Sequence, residues 1–172
     1  MNNRQINKRL YKSINLRIRI ILTAVITFLL ITGCASIYHA EPNSSEASKI
    51  DVDQMLREEM KLWKDTPHRM GGTSLSGADC SGFVMIVYDK LFGITLPRDT
   101  DNQVTAGAFT DKNDLKPGDL VFFKPPRIKR HVGIYLSNGE FAHTSSRKGV
   151  AISRIDDPYW NKAYWTSRRI LR

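Results

Sequence analysis

The order of hydrophobic patterns along the 172 residues predicts an α+β fold, with helices first and an antiparallel sheet after them. Two observations carry this. Apolar residues recur at helical spacing in the first half of the folding part, whereas the last third alternates short apolar runs with turn signals. Helices and strands are therefore segregated, unlike in an alternating βαβ chain. Between Ser48 and Lys64, residues Val52, Met55, Leu56, Met60 and Trp63 are spaced by threes and fours and form one helical stripe, which Thr66-Pro67 ends. Gly71 to Gly77 reads as a flexible loop. Phe83 to Phe92 is apolar nearly all round and closes at Gly93, as expected of a buried central helix with a glycine C-cap. Thr100 with Gln103 is expected to cap a short third helix. Lys116-Pro117-Gly118-Asp119 is a turn delivering a strand at Leu120 to Phe123. After the loop Lys124 to Arg130, strands are expected at His131 to Leu136, Glu140 to Ser145 and Val150 to Ile155, separated by Ser137-Asn138-Gly139 and Arg147-Lys148-Gly149.

Composition bounds what such a fold can do. With 41% hydrophobic and 25% charged residues the chain can bury a core, and two cysteines cannot make a disulfide framework. The net charge of +9 is unevenly placed. Residues 1–33 hold six basic groups and no acid, which leaves +3 on the remainder. The folding part shows no basic stripe interleaved with aromatics, so nucleic acid is not an expected partner.

The N-terminus reads as an address. Ile20 to Ile31 is uncharged, follows the basic stretch and rises about 18 Å as a helix, short of a hydrocarbon core of roughly 30 Å. A basic segment, a short apolar one and small residues at its end describe an export signal. Leu30-Ile31-Thr32-Gly33-Cys34 resembles the lipobox of bacterial lipoproteins. That resemblance implies cleavage before Cys34, its lipidation and, with Ala35 following, an outer-membrane anchor facing the periplasm. The expected organisation is a signal peptide at 1–33, a lipidated N-terminus and flexible tether at 34–49, in which His39 is solvated, and a folded domain at 50–172.

Cys80 is then the one thiol left, in Gly77-Ala78-Asp79-Cys80-Ser81-Gly82 between the glycine loop and the central helix. A helix N-terminus favours the thiolate and offers amides to an oxyanion, so a depressed thiol pKa is expected, although a lone cysteine also serves as a small buried hydrophobe. His131 and His143 are the candidate bases. Their faces depend on the hairpin between them. A two-residue Asn138-Gly139 turn would put the rings on opposite sides of the sheet. A three-residue loop with Gly139 left-handed in a G1 bulge pairs Leu136 with Glu140 and Gly133 with His143, and sets both rings on one face. The three-residue loop is expected, with Gly133 leaving space between the rings. In this arrangement Cys80 attacks a carbonyl, His131 exchanges the proton and His143 orients His131. One cysteine and two histidines could also supply three zinc ligands, a reading that the setting of Cys80 disfavours.

From Val52 to Ile170 the chain resembles the NlpC-type papain-like cysteine peptidases of bacterial cell walls. The resemblance runs through Trp63, Thr66-Pro67, Gly71-Gly72, Asp79-Cys80-Ser81-Gly82-Phe83-Val84, Leu96-Pro97-Arg98, Pro117 to Phe123, His131-Val132-Gly133-Ile134-Tyr135, Phe141-Ala142-His143, and Tyr159-Trp160 with Arg168-Arg169-Ile170. It implies a papain-like fold with the nucleophile at a helix start packed on an antiparallel sheet. It also implies Cys80 as nucleophile, His131 as base, His143 as third member, and Asp79 and Ser81 at the stem-peptide site, with no metal and no cofactor. The implied substrate is peptidoglycan, cut at amides of its stem peptides or cross-links. A wall-binding lipoprotein without catalysis, or amidase and acyl-transfer chemistry, would use the same fold. One departure stands out: the family usually has tyrosine after Thr-Pro, and here the residue is His68, a candidate on the substrate side. The cations of Pro125 to Arg130 and the aromatics Tyr159, Trp160, Tyr164 and Trp165 flank the site, the latter expected mainly to be buried against the sheet. A monomer is expected.

Overall fold

The computed structural model describes residues 44–126 and 128–172. The expected signal peptide, the lipidation site Cys34, His39 and Arg127 lie outside the described residues. Helix α1 runs Ser44–Trp63, starting inside the segment read as tether. Leu56, Met60 and Trp63 from its stripe are buried, and the chain turns at Asp65 with φ 66° before Pro67. The loop read as flexible contains a small hairpin, β1 (Thr73–Ser74) against β2 (Gly77–Ala78). The central helix α2 spans Cys80–Phe92 and closes at Gly93 in the left-handed conformation. The short helix α3 is Thr100–Gln103.

The remaining strands are β3 (Ala108–Phe109), β4 (Leu120–Phe123), β5 (His131–Tyr135), β6 (Glu140–Ser145), β7 (Gly149–Arg154) and β8 (Tyr164–Arg169), with helix α4 (Pro158–Ala163) preceding β8. They form one antiparallel sheet in the order β3-β8-β4-β5-β6-β7. The sequence pattern did not mark β8, because its polar face, Thr166 and the arginines, interrupts the apolar alternation. It nevertheless pairs with β4 next to the middle of the sheet. Alternation in β4 sorts the core. Leu120 and Phe122 join Phe83, Val84 and Val87 of α2, while Val121 and Phe123 pack with Phe141 and Ala163 on the other face.

The β5–β6 hairpin decides the site. Its register is the expected one: Tyr135 pairs with Phe141, Ile134 with Ala142, and the Leu136 amide donates to Glu140 O. The turn conformation differs from expectation. Asn138 and Gly139 both have positive φ, 58° and 77°, and the Glu140 amide donates to Ser137 O, the signature of a mirror-image Asn-Gly turn. Ser137 is the extra residue, bulged between Leu136 and the turn. Its amide donates to Asp53 Oδ1 at 2.8 Å and its hydroxyl to Oδ2 at 2.8 Å, so α1 supplies the partners the ladder does not.

Pairing of β5 with β6 stops at Ile134 and Ala142. Beyond it Val132 faces the α2 side of the sheet. His131 and His143 lie on the other side, with Phe123, Phe141 and Trp160. The thiol of Cys80 reaches the backbone of Val132 at this unpaired end.

Candidate active site

Cys80 is the first residue of α2, and Asp79 before it is the N-cap: φ −90°, ψ 174°, with its Oδ1 accepting from the Gly82 amide at 2.7 Å. The other oxygen accepts from the Gly71 amide at 2.7 Å. Arg98 grips the same carboxylate with both terminal nitrogens, at 2.9 and 2.6 Å, and donates to Ser81 Oγ at 3.0 Å. Burial raises the Asp79 carboxyl, but the Arg98 guanidinium and the two amides outweigh it and the pKa is lowered. Gly82 allows the close approach of the glycine loop, since a Cβ there would collide with the Gly72 carbonyl. The helix start is thus clamped from two sides, by the glycine loop and by Arg98. The Cys80 amide has no intrachain acceptor among the described residues and remains available to an oxyanion.

The thiol lies 3.8 Å from Thr100 Oγ1. Its pKa is raised, against the expectation from the helix terminus. Burial dominates; Thr100 and the backbone of Val132 oppose it, and the Asp79 carboxylate adds to it. Of the first helix amides the cap carboxylate takes that of Gly82, while the amide of Ser81 still donates to the thiol and opposes the rise. Thr100 does not cap α3 as expected either. Asp99 does so, accepting from the Asn102 amide at 2.9 Å, which turns the Thr100 hydroxyl toward sulfur.

His131 and His143 meet, with His131 Nε2 2.9 Å from His143 Nδ1. Both rings are buried, at 5% and 2% exposure. Phe141 stacks on His143 at 4.9 Å, and Trp160 stacks on His131 at 5.3 Å while meeting His143 edge-on at 4.9 Å. The far nitrogen of His143, Nε2, lies 2.9 Å from Ser153 Oγ on β7. Burial pushes His131 down to about 3, helped by the neighbouring imidazoles of His143 and His68. Burial also pushes His143 down to about 4, partly opposed by the backbone of Thr144. The resting pair is therefore a neutral thiol and a neutral imidazole. With Nε2 of His131 engaged, Nδ1 is the nitrogen left to take a proton.

A cleft of about 1340 Å³ brings together Cys80, His131, His143, Asp79, Ser81 and His68. These are all the candidates from the sequence within the described residues. His68 is placed by the pairing of Pro67 and Arg69 backbone groups with Ala78, directly before the helix start. Of the flanking cations, Arg130 and Lys129 pair with Asp101 at 2.6 and 3.6 Å, so part of that charge is spent inside the chain. Trp160 is a wall of the histidine pair, and Tyr159 beside it is half exposed on the cleft. Sequence reasoning missed Arg98, Thr100 and Ser153 as site residues. Arg98 stood in the Leu-Pro-Arg segment, but no local pattern links it to a carboxylate 19 residues earlier.

This constellation can be set beside known proteins. The NlpC/P60 family matches residues 65–169. The chain is similar to the probable endopeptidase NlpC of Escherichia coli (strain K12), 43% identical over 148 residues that cover 85% of this chain and 96% of that one. It is 41% identical to the murein DD-endopeptidase MepS/murein LD-carboxypeptidase of the same strain, over 71% of this chain and 65% of that one. Among solved structures, an NlpC/P60 family protein from Bacillus cereus superposes with a TM-score of 0.63 at 33% identity, covering 70% of this chain and 40% of that one. The matched span holds the clamped Cys80 helix, both histidines and the split hairpin between them, and on that match the chain belongs to the NlpC/P60 family.

Proposed function

We propose that the chain is a cysteine endopeptidase that hydrolyses amide bonds in peptidoglycan stem peptides or their cross-links, with Cys80 as nucleophile, His131 as base and His143 as third member. The observation that carries the reading is the His131 Nε2 to His143 Nδ1 contact of 2.9 Å, which leaves Nδ1 of His131 for the thiol on a cleft that both residues line. The thiol proton passes to His131 Nδ1 as sulfur bonds to the scissile carbonyl carbon, and the carbonyl π pair moves to oxygen. The Cys80 amide donates to that oxyanion. Collapse breaks the C–N bond, and the leaving amine takes the proton from His131 Nδ1. Water, deprotonated by the same nitrogen, then cleaves the thioester and returns the thiol. Starting from neutral partners, charge separates only as the transition state forms, and His143 bears part of the imidazolium's charge through the shared hydrogen bond.

Asp79, Ser81 and His68 are the residues on the substrate side. The Asp79 carboxylate is already saturated by Arg98 and two amides, so its part is to present a fixed polar wall rather than a free charge. The address follows the substrate: a bacterial cell-envelope protein, tethered through lipidated Cys34 to the outer membrane and facing the periplasm.

Digestion of purified peptidoglycan by the full chain beside Cys80→Ala, with mass spectrometry of the released muropeptides, tests this. New stem-peptide fragments made by the unaltered chain alone, undiminished by chelator, are expected. Fragments lost on chelation would favour a zinc site, and binding without fragments would favour a wall-binding protein of the same fold.

A further inference from the structure

The histidine pair is one segment of a longer line of polar atoms: His131 Nε2, His143 Nδ1 and, beyond the ring, His143 Nε2 against Ser153 Oγ, with both contacts at 2.9 Å. Each neutral imidazole has one N–H and one bare nitrogen, so the line can run in only two senses. In the first, His131 donates from Nε2 to His143, and His143 donates from Nε2 to the Ser153 hydroxyl. That leaves Nδ1 of His131 bare, as a base requires. In the second, Ser153 donates to His143 Nε2, His143 donates from Nδ1 to His131 Nε2, and His131 carries its proton on Nδ1. In that sense it cannot accept the thiol proton. The rings are coupled, so whatever decides the proton at one end decides it at the other.

We propose that Ser153 is a positioning residue that selects the productive tautomer of both histidines by accepting a hydrogen bond from His143 Nε2. Three observations support this. His143 is 2% exposed, so an N–H at Nε2 without an acceptor would be a buried orphan donor. Ser153 is half-buried on β7, so its own hydroxyl proton can turn to solvent while the oxygen accepts. At the other end Cys80 lines the same cleft as His131 with its thiol pKa raised, and a neutral thiol offers a proton to a bare nitrogen more readily than it accepts one from an N–H. Ser153 does not line the cleft, so its effect is exerted through the rings and not on substrate. Its placement follows from the β6–β7 register, in which Phe141 pairs with Ser153 and His143 with Ala151, setting the hydroxyl diagonally across from the imidazole.

The proposal rests on the thiol peptidase reading, and its test separates the two. The full chain labelled with ¹⁵N-histidine reports the protonated nitrogen of each ring without substrate, and steady-state cleavage of a soluble cross-linked stem peptide reports kcat and KM. Ser153→Thr and Ser153→Val have nearly the same shape and differ in the hydroxyl. The unaltered chain and Ser153→Thr are expected to hold both rings protonated on Nε2. Ser153→Val is expected to move both protons to Nδ1 and to lower kcat roughly 10- to 100-fold, as loss of an outer partner of a polar relay does, with KM unchanged. Should valine distort the strand, Ser153→Ala carries the same expectation. Rings still protonated on Nε2 in Ser153→Val or Ser153→Ala would overturn the proposal, as would a kcat in Ser153→Thr as low as in Ser153→Val. A native chain with the expected ring spectra and no cleavage would instead overturn the peptidase reading alone.

Discussion

Gly133 shows how narrowly the site is built at the level of single residues. A Cβ there would lie 2.7 Å from the Phe141 ring and the Ala142 carbonyl oxygen and 3.3 Å from His143 Cβ. Space between the two histidines is therefore made by the missing side chain, and Phe141, stacked on His143, cannot retreat without moving it. Gly133→Ala is expected to destabilise the fold by about 1–3 kcal/mol through overpacking and to cut cleavage disproportionately by breaking the 2.9 Å contact between the rings. Denaturant titration beside activity checks this; activity that fell only in line with the folded fraction would contradict it. The presence of this glycine was legible in the sequence as a gap between two candidate bases. The protonation of Cys80 was not. Burial raises the thiol, the carboxylate of Asp79, which marks the helix start, adds to that rise, and its partner Arg98 comes from a separate loop.

At the scale of elements, the hairpin register is the variable that controls chemistry, and it is held from outside the hairpin. Asp53 on α1 binds the bulged Ser137 through amide and hydroxyl, and Arg57 ties the same helix to Glu140 at 2.8 Å. A one-residue slip would turn either histidine to the opposite face. Removing the Asp53 carboxylate leaves the Ser137 amide without its partner. Asp53→Ala is therefore expected to cost about 1–2 kcal/mol and to speed amide exchange at residues 136–140, with Asp53→Asn restoring part of the protection. Exchange measured by mass spectrometry decides; protection equal to that of the unaltered chain would show that the Asn138-Gly139 turn holds the register by itself. The Asn-Gly dipeptide announced a turn in the sequence. The bulge was inferred from the need to bring two rings together, while its partner on a helix 84 residues earlier had no local trace.

For the whole molecule, burying two neutral imidazoles links stability to pH. His131 and His143 sit at about 3 and about 4 in the folded state against an ordinary value of 6.5. Below 6.5 the unfolded chain takes up protons that the folded chain refuses, so stability falls as the pH drops from 6.5 toward 4. Asp79 and Asp53 act in a different window. Their carboxyls are lowered from 3.8, so what they contribute is present above that value and is lost only below it. Denaturant midpoints at pH 7 and pH 5 isolate the histidines. A lower midpoint at pH 5 is expected, with a smaller drop in His131→Asn; equal midpoints would mean that the rings are charged in the fold or solvated.

The amino-acid sequence by itself determined what depends on neighbours along the chain. This includes the helical stripe of α1, the buried helix closed by Gly93, the glycine-flanked cysteine at its start, the order of helices before strands, and the motifs of the family. These are legible because periodicity, caps and turn residues act over a few positions. Tertiary structure alone decided what depends on partners far apart in the chain. Strand β8 lies between β3 and β4 although its own pattern is mostly polar. Arg98 grips Asp79, Ser153 reaches His143, and the sheet parts between β5 and β6 where the thiol meets Val132. Burial sets the protonation of Cys80 and both histidines, and burial exists only after the chain has closed around them.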